Sequence, residues 1–408
     1  LPWLALRNCS TEVSAAAICS SAAWILGSPQ GAITKPLRFE QILQRTAPLK
    51  AQLREADGDE ISKIEALVKS YPLDGEAQIL LSNARARKSR RPLLEIPVFG
   101  AVTGSEYEGI QMLNGIAFAQ REINDSGGIL DAADPACGKK MIVLNFVDCQ
   151  SRQDLTLEGY LRVADNQKLA AALGPWSSQQ LIAVSPIVES AGLPTLAPTA
   201  SDPRTSQLGK NSLTVADSDL GRVRALARQL ILLGLRRAIV IRNDESVVGH
   251  SSSADFEQIF QALGGKIVEE RSYLQETKVF DQALVDLDKV TADCIFLPEY
   301  RTGVVMNLTR HLRARGLQQR IASLASLHSE WPPRENAQEL NGLMVCSFFY
   351  AQAPDPKIQD FVRRYQAFTG SPTPSHREAY SYDALKLMGR AIEEVGFRRQ
   401  SLRDYFDV

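Results

Sequence analysis

The sequence predicts an α/β protein: two parallel-sheet lobes joined by hinge crossovers, with a small N-terminal α-helical region. Three observations predict it. From Leu93 short apolar strands alternate with amphipathic helices, the pattern of a parallel sheet covered on both faces. From Ala238 the alternation runs a second time, without obvious identity to the first. Two successive strands end in hydroxyl-rich turns, LGPWSSQQ (173–180) and TLAPTASDP (195–203). Such sheets bind ligands beyond the carboxyl ends of their strands. At 408 residues the chain is too long for one ordinary core.

Residues 1–91 read as a helical extension and linker. Helical spacing runs through Phe39, Ile42 and Leu43, then through Ile61, Ile64, Leu67 and Val68. Pro72 breaks the pattern, and Asp74 caps a further helix to about Arg87. The stretch YPLDGEAQILLSNARA resembles the closing part of a tetratricopeptide-type hairpin. One such unit cannot bury its own face, so it must pack on the next domain or on a partner. The basic run from Arg85 to Arg91 has no interleaved aromatic residue and reads as a solvated linker.

The first lobe is expected at 92–216 with 350–408, the second at 217–349. In the first, strands fall at Ile96 to Val102, Met141 to Val147, Leu169 to Leu173 and Thr195 to Ala197. Helices fall at Gly109 to Asn124 and Asp154 to Gln167. A third opens at Ser177 and Ser178 and stops at Gly192 and Pro194. Val215 to Asp219 is the first crossing. The second set has strands at Ala238 to Arg242, from Lys266, Asp293 to Leu297 and Ile321 to Ala325. Its helices are Ser253 to Leu263, Val279 to Val290 and Gly303 to Arg315. Leu343 to Phe349 carries the chain back, and helices Ile358 to Thr369 and Glu378 to Val395 rejoin the first lobe.

Net charge is −1, which implies no general attraction to nucleic acid or to an anionic membrane. No apolar run reaches the ~18 residues of a membrane span. The longest, Val13 to Leu26, reads as a buried helix or the remains of an export or anchor segment. The chain opens on Leu1 rather than Met, as expected of a trimmed or processed product. None of the six cysteines forms a CxxC pair. Cys137 and Cys149 flank a strand that separates them too far to bridge, and Cys294 and Cys346 lie in apolar strands as inert thiols. Whether Cys9 and Cys19 pair is open. No HExxH, phosphate-binding or dinucleotide-binding glycine motif occurs. No cofactor, no metal site and no enzyme activity are therefore expected.

The helix start at Ser177 and Ser178 offers free N–H groups and partial positive charge beside the hydroxyls of Thr199 and Ser201. That is a receptor for a small anionic group, most simply a carboxylate.

The order of features from about 93 to 396 resembles the type I periplasmic binding-protein fold, in its branched-chain amino acid and amide binding group. The resembling residues are Gly100 and Gly104 after the first strand, EINDSGGI (122–129), Asp148, the two loops above, and YSYDALKLMGRAIEEVG (380–396). A helical preface before such a module also resembles cyanobacterial extracytoplasmic receptors. The resemblance implies a non-enzymatic extracytoplasmic protein whose lobes close over an amino acid-like or amide-like ligand. Its partner would be a membrane permease or a signalling protein. Uptake is the leading role, a sensor ectodomain the alternative, and an α/β enzyme using the same cleft the least favoured reading. It implies ligand contacts from Ser177, Ser178, Thr199, Ala200 and Ser201, with Trp176 in the same loop, Tyr107 covering the ligand, and Tyr300 at a second-lobe strand end. The sequence departs from the pattern where Val248 precedes Gly249. It also lacks a clear acid near Ser326 to Ser329 to receive a ligand ammonium; Glu299 and Glu330 are the nearest substitutes. The chain ends at Val408, soon after the late helix, where the family usually continues with a further strand segment, the expectation for a truncated chain.

Overall fold

The computed structural model describes residues 23–25, 61–104, 108–274, 280, 282–324, 342–370 and 373–407. They fall into two compact units. One holds the described residues from 61 to 216 and from 351 to 407; the other holds those from 217 to 350 together with Ala23–Ile25.

The first unit is built on β2 (Leu93–Gly100), an apolar strand buried along most of its length. It pairs in parallel with β4 (Lys139–Asp148) on one side and β5 (Ala172–Leu173) on the other. β6 (Thr195–Ala197) and β7 (Ser212–Thr214) extend the sheet beyond β5, and β3 (Ile129–Leu130) adds antiparallel to β4, giving the order β3-β4-β2-β5-β6-β7. Helices α3 (Glu108–Asp125), α4 (Gln153–Ala164) and α5 (Ser178–Ala191) link the strands. Helices α9 (Pro356–Thr369) and α10 (His376–Val395) return to this unit. A Cβ at Gly115 of α3 would lie 2.2 Å from the carbonyl oxygen of Glu378 in α10, so only glycine permits that approach. The sequence reading missed α11 (Arg399–Phe406). Its apolar Leu402 and Phe406 are one helical turn apart, and its Arg399 guanidinium donates to the carbonyls of Leu169, Ala191 and Asn166.

The helical preface docks on this unit. α1 (Ile61–Ser70) and α2 (Gly75–Lys88) share a small core of Ile64, Leu81 and Ala84, and Asp74 caps α2 through the N–H of Ala77. On its edge away from β2, β4 pairs with β3 only at Lys139 and Lys140, which leaves the N–H and C=O groups further along to be satisfied. Asn83 of α2 supplies both partners at Leu144, donating to its carbonyl at 2.8 Å and accepting from its N–H at 3.0 Å. Asn124 of α3 does the same at Ile142, at 2.9 and 2.8 Å. Side-chain amides thus stand in for a missing strand. Asn83→Ala is expected to cost about 2–3 kcal/mol, because two buried backbone groups lose their partners. Denaturant unfolding checks it, and Asn83→Asp, which can only accept, should recover little.

The second unit has the order β1-β12-β11-β10-β8-β9. Its strands are β8 (Arg237–Asn243), β9 (Lys266–Tyr273), β10 (Cys294–Leu297), β11 (Arg320–Ser323) and β12 (Leu343–Cys346), all parallel. β1 (Ala23–Ile25) runs antiparallel to β12; the rest of the apolar run 13–26 lies outside the described residues. Helices α6 (Asp219–Leu232), α7 (Val247–Ala262) and α8 (Thr302–Ala314) cover the sheet. α7 begins six residues before its expected start, capped by Ser246; its Ser251 and Ser253 bond back to helix carbonyls instead of forming a loop. The helix expected at Val279 to Val290 is corrected: residues 282–286 are turns and Leu287–Lys289 a single 3-10 turn. Phe280, Leu284 and Leu287 keep helical spacing because they pack on the sheet, while Asp286 sits at φ +59°, which an α-helix does not allow.

Candidate functional site

In both sheets the chain turns from one side of a central strand to the other. The first unit goes from β2 to β4 and then to β5; the second goes from β8 to β9 and then to β10. Ligands of open α/β sheets sit at the carboxyl ends of strands flanking such a reversal.

In the first unit β5 and β6 end side by side, with Leu173 opposite Leu196 and the Gly174 N–H donating to the Leu196 carbonyl at 2.9 Å. Gly174 has φ +97°. Ser177 caps α5 by accepting from the N–H of Gln180 at 3.3 Å, and Gly192 ends α5 in the left-handed conformation. Ser178 is buried, and its oxygen accepts from the N–H groups of Ser201 and Asp202 at 3.0 and 3.1 Å. Both acceptor positions of that hydroxyl are filled, so its hydrogen is left to donate. The first-turn N–H groups of Ser178 and Gln179 point the same way along the helix and lack intrahelical acceptors. Thr199 donates its hydroxyl to the Trp176 carbonyl, and Ala200, fully buried, accepts from Thr214. These bonds tie the two loops together and leave the Ser178 hydroxyl hydrogen and the first-turn N–H groups of α5 as the donors not spent within them. Trp176 and Ser201 are half-buried there. Tyr107 lies outside the described residues.

In the second unit Glu299, 3% exposed, follows β10. One carboxylate oxygen accepts from the Arg301 N–H at 2.9 Å and Nε at 3.0 Å; the other accepts from Arg301 Nη2 at 2.6 Å and Tyr273 Oη at 2.9 Å. All four lone-pair positions are occupied. Ser323 adds a bond to the Glu299 carbonyl at 3.0 Å. Burial and the neighbouring carboxylate raise the Tyr273 pKa. Burial opposes the Arg301 charge, but the bonds to Glu299 outweigh it and raise its pKa. Tyr300 is half-buried against the apolar cluster of Phe256 and Phe296. Glu330 lies outside the described residues.

Two residues here escaped the sequence reading. Gln180, in the first turn of α5, is buried with its Oε1 unpartnered among the described residues. Asn243, the last residue of β8, is 1% exposed; its Oδ1 accepts from the Glu245 N–H, and its Nδ2 has no acceptor among the described residues. Their only signal in the sequence is position, one turn after the serines and at a strand end. Burial pushes the pKa of the strand thiols up, Cys149 and Cys346 to about 11 and Cys294 to about 12, so these three stay protonated.

Residues 94–405 match the family model described as periplasmic binding protein. The chain belongs to that family. Periplasmic binding proteins are solute-binding proteins rather than enzymes, and they work outside the cytoplasm. No curated protein matches the chain. Among solved structures, the leucine-binding protein LivK of Thermotoga maritima is 22% identical with a TM-score of 0.66, covering 77% of this chain and 87% of its own. The branched-chain amino acid substrate-binding protein LivJ of Streptococcus pneumoniae, in complex with isoleucine, is 20% identical with the same TM-score and coverage. A solute-binding protein of R. palustris, in complex with benzoate, is 19% identical with a TM-score of 0.65, covering 77% and 85%. At these identities the likeness is one of fold, and it extends over the two-unit α/β architecture. No described helix is long and apolar enough to cross a membrane.

Proposed function

We propose that this periplasmic binding protein takes up a small carboxylate-bearing ligand at the carboxyl ends of its strands and presents it to an ABC-type permease. The observation that carries the reading is the Ser178 hydroxyl. Its oxygen is filled by Ser201 and Asp202, so this buried hydroxyl has only its hydrogen left to give, in the first turn of α5 where the N–H groups lack intrahelical acceptors. A carboxylate fits such a surface, and structural relatives hold isoleucine and benzoate, which both carry one. Ser177, Thr199, Ala200 and Ser201 shape the surface more than they touch the ligand, since Ser177 caps the helix and Thr199 ties the loops together.

Native mass spectrometry of the purified protein should show a bound small acid. Ser178→Ala with Thr199→Ala should lower its affinity at least about tenfold, or ~1.4 kcal/mol, while circular dichroism stays native. Unchanged affinity by calorimetry would remove these loops from the site.

A further inference from the structure

We infer that the second unit docks on an anionic lipid surface through the amino ends of β8 and β9, where α6 and α7 terminate. Parallel strands hold ligands at their carboxyl ends, so this face is independent of the carboxylate reading above. β8 and β9 start side by side, with Arg237 opposite Lys266. Helices α6 and α7 finish at that end, and their last leucines stay in solvent. Leu232 is 76% exposed, Leu233 42% and Leu263 37%. The Arg236 guanidinium donates to the Gly264 carbonyl at 3.4 Å, which joins the segment after α6 to the one after α7.

The outward side of α6 continues the patch. Val223, Leu226, Ala227 and Leu230 turn into the core. Arg224, Arg228 and Leu232 follow one another at single-turn spacing on the other side, and all three are exposed. Neither arginine has an ion pair among the described residues; the acid of this helix, Asp219, is buried and paired with Arg222. Arg236, Arg237 and Lys266 are exposed as well. The acids nearby are fewer or already engaged. Asp293 accepts from the backbone N–H groups of Arg236 and Arg237 at 2.8 Å. Asp255 and Glu257 of α7 are half-buried. Glu269 and Glu270, further along β9, pair with Arg271 and Arg242. Asp286 and Asp288 flank Leu287, which packs on the opposite face of the sheet. Exposed leucines beside an excess of cations match the two layers of such a membrane, anionic headgroups over apolar chains. A second copy fits less well, because an isologous contact would set these cations against themselves. The net charge of −1 does not cancel the patch, since salt confines the reach of a charge to about 8 Å.

The test sediments the full chain with vesicles of phosphatidylcholine alone and of equal parts phosphatidylcholine and phosphatidylglycerol. The anionic vesicles should bind at least about tenfold more tightly than the neutral ones, and less so as salt rises. Arg224→Gln with Arg228→Gln should weaken that binding at least about tenfold, and so should Leu232→Ser with Leu263→Ser. Lys69→Gln with Lys168→Gln removes the same charge from exposed positions of the first unit and should leave it unchanged. Equal binding to both vesicles, no binding to either, or equal losses in the two charge variants overturns the inference. Patch-dependent binding to polyglutamate but not to vesicles would give the face to an acidic protein. Dimers in sedimentation velocity that Leu232→Ser abolishes would give it to a second copy. Either result overturns the lipid assignment and leaves the carboxylate reading untouched.

Discussion

Gly174→Ala is expected to destabilise the first unit by about 3 kcal/mol or more. Gly174 sits at φ +97°, where an L side chain is strained. A Cβ there would lie 2.0 Å from the carbonyl oxygen of Phe99. Phe99 is backbone of the central strand β2, so the obstacle cannot swing aside as a side chain would. Relief requires β2 and β5 to part, which strains the Gly174 bond to Leu196 and the Ser178 bonds to the neighbouring loop. Gly192→Ala is the control. It also has positive φ, at +60°, but open space around its Cβ position, so it should cost only about 1 kcal/mol. Urea unfolding of both variants separates the two terms. Equal losses would show that the close approach to β2 is absent.

Arg301→Leu is expected to cost the second unit about 3–5 kcal/mol, because it strands a buried carboxylate. Glu299 would lose the guanidinium bonds and keep only the Arg301-position backbone N–H and the Tyr273 hydroxyl. Removing the acid as well, in Arg301→Leu with Glu299→Leu, should recover most of that loss, since replacing both partners of a buried ion pair by apolar groups is often near neutral. A double variant no more stable than Arg301→Leu alone would mean that the pair is not a charge-balancing unit. The measurement also bears on specificity. If Arg301 holds Glu299 as described, Glu299 has no lone pair for a ligand, which the sequence had offered as an ammonium acceptor.

Local chemistry was legible in the sequence. Ser177 and Asp74 cap the helices they were expected to cap, and Gly192 ends α5 in a left-handed turn. Strand–helix alternation placed both sheets, with β6 found at Thr195–Ala197 as expected. These features depend on residues a few positions apart, and backbone geometry enforces them without help. Partners that lie far apart in the chain were not legible. Nothing near Glu299 in the sequence announces Tyr273, 26 residues away, and nothing near Asn83 announces Leu144, 61 residues away. The run from Val279 to Val290 had helical spacing, yet the same spacing served a turn packed on the sheet. The sequence by itself determined the α/β class, most of the strand–helix order and the local caps, but not α11 or the turns at 282–289. Only the tertiary structure decided which polar groups spend their bonds internally and which stay open to a ligand, because a hydrogen bond is settled by distance in space and not by separation along the chain.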